Sequence, residues 1–488
     1  MTLRAGRRMI IINPYLAGGQ SNLAKPCQTP PSTVENPAKP VAHDPEKADR
    51  NSSTFSHIHP ESICAVIPPA RGPSDTMAET QAPEVDYTLN NPDTLTKYKT
   101  AAQISHKVLE AVSGWCLEGA KIVELCQKGD QLLEEEIAKV YKGKKVSKGF
   151  AHPTTVSPSS YVTPYTPLLS DAEEANTTLK AGEVVKIQLG AQIDGFGTIV
   201  CDSIVVAGAE DAVTGREADL LLATHYANEL LLRLMVPPGL LATGSEEEKQ
   251  KAAAEKPPTQ TQISNLIEKV AKAYDCNVVE NTTSWQFERN EIEGKKKIIL
   301  SPGSGTKGDG VPEVGEVWGV EIGMSLGSGK VKTLSHRATL HRRTTTTYIL
   351  KRPSSRQTLS EIVKKFGTFP FSLRQLDDEK AGKVGVVECV RGGVVRQYEP
   401  AGDSDNAPVA RLLTTIAITK NGITKLAAPP EPDLSKIKSD KKIEDEEILK
   451  ILERPISKST GAKGKKNKKK KKPAKTAQGE GEESGDEE

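Results

Sequence analysis

Val184-Val185-Lys186-Ile187-Gln188-Leu189 alternates strictly, with Val185, Ile187 and Leu189 on one face, and Asp194-Gly195 turns it into the β-rich run Thr198 to Val206. A period of two broken by an Asp-Gly step is the strongest short-range signal for a β-hairpin. Upstream the period changes. Leu95, Tyr98, Ala102, Ser105, Val108, Leu109 and Val112 share one face of a helix that starts at Pro92 and ends near Gly114. A helical pair is expected next, Ile122, Leu125 and Cys126 before a break at Gly129-Asp130 and Leu132, Leu133, Ile137 and Val140 after it.

Downstream of the hairpin, Asp211 to Met235 carries a long apolar helical stripe stopped by Pro237-Pro238-Gly239. A polar surface insert, about 239–258, precedes a helix from Gln262 to Tyr274. Val311 to Leu326 and Thr344 to Leu350 read as strands, Leu359 to Phe366 as a short helix, and Lys383 to Tyr398 and Val409 to Thr424 as further β segments. Helices interleaved with hairpins over 85–428 give an α+β domain.

The flanks differ from this body. Residues 1–84 are rich in Pro, Ser, Thr and Ala without sustained period and read as a disordered leader; Met77-Ala78-Glu79 is a natural start for the compact part. Three arginines and no acid in the first 34 residues give a weak echo of a mitochondrial presequence, which Pro14 interrupts. Residues 429–488 form a charged tail, helix-prone to about Leu452. Nine lysines and no acid occupy 463–475 (Lys463, Lys465, Lys466, Lys468, Lys469, Lys470, Lys471, Lys472, Lys475), followed by six acids in the last nine positions. The net charge of +2, from 66 basic and 64 acidic residues, conceals this asymmetry. Such a run attracts polyphosphate by releasing condensed counterions, and serves equally as a nuclear or nucleolar address or a solubilising tail.

The chemistry-bearing motifs are sparse. Seven scattered cysteines without a C-x-x-C pair argue against a disulfide framework and a thiolate zinc site. No run approaches the roughly 18 apolar residues of a membrane helix, so a soluble intracellular chain without membrane partners is expected. Neither Ser301–Gly308 nor Gly327–Lys330 satisfies G-x-x-x-x-G-K-[ST], and both read as turns. No H-E-x-x-H and no G-x-S-x-G is present.

Asp86-Tyr87-Thr88-Leu89-Asn90-Asn91-Pro92-Asp93, Thr96-Lys97-Tyr98-Lys99, Lys186-Ile187-Gln188-Leu189-Gly190, Asp194-Gly195-Phe196 and Gly385-Val386-Val387-Glu388-Cys389, in this order, resemble the proliferation-associated (ErbB-3-binding) protein family, whose fungal members are described as curved-DNA-binding proteins. That family is similar to the type II methionine aminopeptidases. The resemblance implies a pita-bread fold (creatinase/methionine aminopeptidase-like), in which two aspartates, a histidine and two glutamates hold two metal ions and a further histidine lies near the substrate. Carried over by position, the aspartates fall on Gln188 and Ile199, the metal histidine near Thr282, the glutamates on Glu321 and near Leu413, and the substrate-site histidine on Pro164. Only Glu321 keeps a ligand type. Asp202 follows Ile199 by three steps, which reverses the face of a strand. The resemblance therefore implies a pseudoenzyme with no catalytic residue, no metal and no cofactor.

It further implies partners: ribosomes and ribosomal RNA, with roles in ribosome assembly, translation and growth control in cytoplasm, nucleus and nucleolus, and DNA for the fungal relatives. Candidate contacts beside the lysine tail are Lys142, Lys144, Lys145 and Lys148, then Lys295, Lys296 and Lys297 with Arg337, Arg342 and Arg343. The competing readings are a DNA-binding regulator acting through backbone and shape, and an active metallo-aminopeptidase with a rebuilt metal site.

Overall fold

The computed structural model describes residues 86–206 and 212–458; the leader, Asp211, the lysine run and the acidic end lie outside the described residues. Asn91 caps the first helix, α1 (Pro92–Trp115), by accepting from the Asp93 amide, and Pro92 opens it. The second, α2 (Ile122–Lys139), runs unbroken through Gly129-Asp130, against the expected interruption. A Cβ at Gly129 would stand 2.5 Å from Thr154 Cγ2. Its absence lets α2 lie close on β1 (Lys148–Pro158), while the Asp130 carboxylate accepts from the Thr154 amide at 2.7 Å and pairs with Arg374 at 2.8 Å.

After the one-turn α3 (Ala172–Ala175) comes the expected hairpin, β2 (Val184–Ile193) and β3 (Phe196–Val205), turning at Asp194 and Gly195 with φ of 58° and 81°. Then follow β4 (Val213–Thr214), α4 (Gly215–Leu234), α5 (Glu246–Ala253) and α6 (Gln260–Ala273). The polar insert is thus partly helical, closed by a Ser245/Glu248 capping box.

The strands β5 (Asn277–Val278), β6 (Thr282–Phe287), β7 (Lys297–Leu300) and β8 (Val317–Ser325) precede the short β9 (Val331–Thr333) and β10 (Leu340–Arg343). Thr344–Leu350, expected as a strand, is irregular, because β10 ends at Arg343. Next are α7 (Pro353–Lys365), β11 (Pro370–Ser372) and α8 (Glu379–Arg391). The last corrects the β reading of Lys383 to Tyr398. The buried set Gly382, Gly385, Val386 and Cys389 has helical spacing, and only β12 (Val395–Gln397) is extended.

The chain ends with β13 (Ala401–Asp403), β14 (Val409–Thr419), β15 (Gly422–Ala427), β16 (Ile437–Lys438) and α9 (Glu446–Leu452). The charged segment past 428 is in part body. β16 pairs with β4, and Ile443, Ile448 and Ile451 are buried in the cluster that includes α4.

Nine strands form the main sheet, ordered β1-β2-β3-β14-β8-β6-β7, with β15 on β14 and β5 on β8. Strand parity sorts its two faces. Val185, Ile187 and Leu189 of β2 bury against α1 and α2. Trp318, Val320, Ile322 and Met324 of β8 and Ala410, Ile416 and Ile418 of β14 bury with α4 and α6. The alternate residues, Gln188, Glu321 and Leu413 among them, point to the opposite face, where a pocket opens.

Candidate functional site

Pro164, Gln188, Ile199, Thr282, Glu321 and Leu413, scattered over 250 positions of sequence, line this one pocket of about 320 Å³. The register explains the convergence. Gln188 lies opposite Cys201 and Ile199 opposite Gly190 across β2 and β3, while Leu413 of β14 lies opposite both Cys201 and Glu321 of β8.

Glu321 is not a free carboxylate. The guanidinium of Arg411, two residues from Leu413 on the same face of β14, donates to its Oε1 through Nε at 2.9 Å and also through Nη2. Arg411 is only 6% exposed, and its Nη1 is buried without a partner among the described residues. A second base stands close by. Lys186 is buried on the same strand as Gln188, donates to the Ser159 carbonyl, and is pushed down to about 7 by burial and by the Arg411 charge.

Beside Gln188 stands His152 of β1, buried, its Nδ1–H donating to the Pro153 carbonyl at 2.8 Å. That bond leaves Nε2 to accept from Gln188 Nε2 at 3.1 Å, which sets the neutral tautomer. Burial, with a smaller push from Arg411, lowers the ring to about 4. Thr282 spends its hydroxyl on the Val279 carbonyl at 2.8 Å. Ile199 and Leu413 are 3% and 6% exposed and bring only hydrocarbon.

A pair of divalent ions does not fit this set of side chains. At these positions the donors are one carboxylate paired with a guanidinium, an uncharged amide whose Oε1 is unbonded among the described residues, a hydroxyl engaged with a carbonyl, and two alkyl chains, while the other carboxylates lining the pocket, Glu293 and Glu280, pair with Arg342 and Arg396 and with Lys330. Arg411 adds positive potential where cations would need the reverse. Asp202 cannot supply the missing charge, since it lines a separate cavity on the helix-covered face with Leu412 and Thr414. Cys201 offers no nucleophile; burial raises its thiol to about 12.

Sequence reasoning brought the six positions together but missed Arg411 and His152. Each acts through a partner 36 or more positions away, and an isolated Arg or His in a strand carries no local mark of it. Among the basic candidates, Lys142, Lys144 and Lys145 are exposed after α2, and Arg337 is exposed. Lys296 pairs with Glu313 and Glu316, and Lys297 lies 5.4 Å over the Trp285 ring. Arg342 is corrected as a surface contact: it is buried, paired with Glu291 and Glu293. Among the described residues no helix is long and apolar enough to cross a membrane.

Residues 96–330 match metallopeptidase family M24. The "Curved DNA-binding protein" of Schizosaccharomyces pombe is 41% identical over 392 residues, 80% of this chain and 97% of that protein. "ERBB-3 BINDING PROTEIN 1" of Arabidopsis thaliana is 34% identical over 383 residues, 78% of this chain and 90% of that one. A solved structure described as a thermophilic Arx1 is 70% identical, with a TM-score of 0.74, covering 75% of this chain and all of its own. With a helix-backed sheet, a pocket on its other face and these matches along most of its length, the chain belongs to the curved-DNA-binding and ErbB-3-binding protein family, on the pita-bread fold of metallopeptidase family M24.

Proposed function

We propose that the chain is a non-catalytic relative of the aminopeptidases that binds ribosomes and structured RNA and acts in ribosome assembly or translation, in cytoplasm and nucleus. The observation that carries the non-catalytic half is the Arg411–Glu321 pair, a guanidinium held by the one carboxylate among the six carried-over positions. In metal-assisted hydrolysis paired cations generate hydroxide and polarise the carbonyl; no step of that kind is derived for this pocket.

Binding rests on charge. The run Lys463 to Lys475 supplies nine cations within thirteen residues, and exposed Lys142, Lys144 and Lys145 add a second basic point on the body. The same charge accepts duplex DNA through its backbone, and the name of the fission-yeast relative favours that as the second reading.

Co-sedimentation with ribosomes over a salt series, comparing the whole chain with one ending at Gly461, tests both. The whole chain is expected to bind with a steep salt dependence that the shortened one loses, and a bent DNA duplex is expected to compete poorly. Equal binding and equal slopes would remove the lysines from the account, and effective competition by bent duplex would favour DNA.

A further inference from the structure

Across β3 and β14 from the pocket lined by Glu321 lies a second cavity, of about 440 Å³, between the sheet, the end of α1 and helix α4. Its lining is of two kinds. Leu117, Ile204, Val213, Leu221 and the prolines of the 429–432 strap are apolar. Asp202, Thr224, His225, Asn228 and Thr414 are polar.

Two of these polar groups lack partners among the described residues. Asn228 is 5% exposed and its Oδ1 is unbonded; Thr414 is fully buried and its Oγ1 is unbonded. A buried amide oxygen and hydroxyl without partners each cost free energy, which a ligand filling the space would recover. Three of the charged residues that line it are paired. Lys425 holds Glu229 and Glu431 at 2.8 Å each, tying the strap to α4, and Arg233 also pairs with Glu229. Asp202 accepts from the Ser203 amide at 2.8 Å, and burial raises its carboxyl to about 7, toward the neutral form. The volume lies within the range of small-molecule sites, and a mostly apolar wall with a few convergent polar groups is their usual composition.

We propose that this cavity is a binding site for a small uncharged molecule with an apolar body and a hydrogen-bond-donating head, the head seated on Asn228 Oδ1 and the body between α4 and the proline strap. The proposal does not depend on the pocket lined by Glu321, since the two lie on opposite faces of the sheet and share no lining residue.

The test uses the full chain and N-phenyl-1-naphthylamine, a neutral fluorescent probe with an apolar body and one N–H, beside its N-methyl derivative, which lacks that donor. Saturable one-to-one binding of the first probe is expected. Leu221→Trp, which adds bulk to the apolar lining, should weaken both probes about tenfold or more, and Asn228→Ala should weaken the N–H probe about tenfold while sparing the N-methyl one. Circular dichroism checks that each variant is folded. If Leu221→Trp is not, Leu117→Glu at the exposed rim serves in its place and should likewise weaken both probes. No saturable binding, binding unchanged by the filling variants, or equal effects of Asn228→Ala on the two probes would overturn the proposal.

Discussion

Arg411 pairs with Glu321 in the open-face pocket. It sits diagonally across β14 and β8 from Glu321, the one geometry in which a long side chain two residues from Leu413 reaches a carboxylate directly opposite Leu413. Removing one partner of a buried ion pair strands the other charge, whereas replacing both by groups of similar shape costs little. Arg411→Met is therefore expected to lower unfolding stability by about 3–5 kcal/mol, and Arg411→Met with Glu321→Gln to recover most of it. Urea denaturation of the four members of the cycle reads the coupling. Additive losses would show that the two side chains do not depend on each other. The pair was invisible in sequence because its members stand 90 residues apart and Arg411 lies in no recognisable motif.

Among the elements, close approach decides what local pattern cannot. α7 and α8 pack so tightly that a Cβ on Gly385 would lie 2.0 Å from Thr358 Oγ1. Gly385→Ala should cost about 1–3 kcal/mol, and Thr358→Ala in the same chain should return part of it by removing the nearest clashing atom. Urea midpoints measure both; Gly385→Ala as stable as the unaltered chain would contradict the packing described. This contact also accounts for the misreading of α8. Val384, Val386, Val387 and Val390 have the side chains of a strand, and the helical arrangement is fixed by burial of Gly382, Gly385, Val386 and Cys389. The same holds at Gly129, where a glycine that looks like a helix break is a point of contact with β1. By contrast the β2–β3 hairpin and α1 were legible, since an Asp-Gly turn, strict alternation and an Asn-Pro cap are all local signals.

For the whole molecule, a sheet backed by helices on one face carries two cavities of different character, separated by strand parity alone. On the open face, Gln188, Ile199, Thr282 and Leu413 bring an amide, a hydroxyl and hydrocarbon, and Glu321 is paired with the Arg411 guanidinium. Which six positions meet there was readable once the resemblance anchored the strands. What neutralises Glu321 was not, because it depends on the β14–β8 register. Elemental analysis of the purified full-length chain, after incubation with excess Co(II) or Mn(II) and desalting, paired with an assay for methionine release from a short peptide, tests the central claim directly. The account predicts far less than one metal equivalent per chain and no released methionine. Close to two retained equivalents together with methionine release would contradict it.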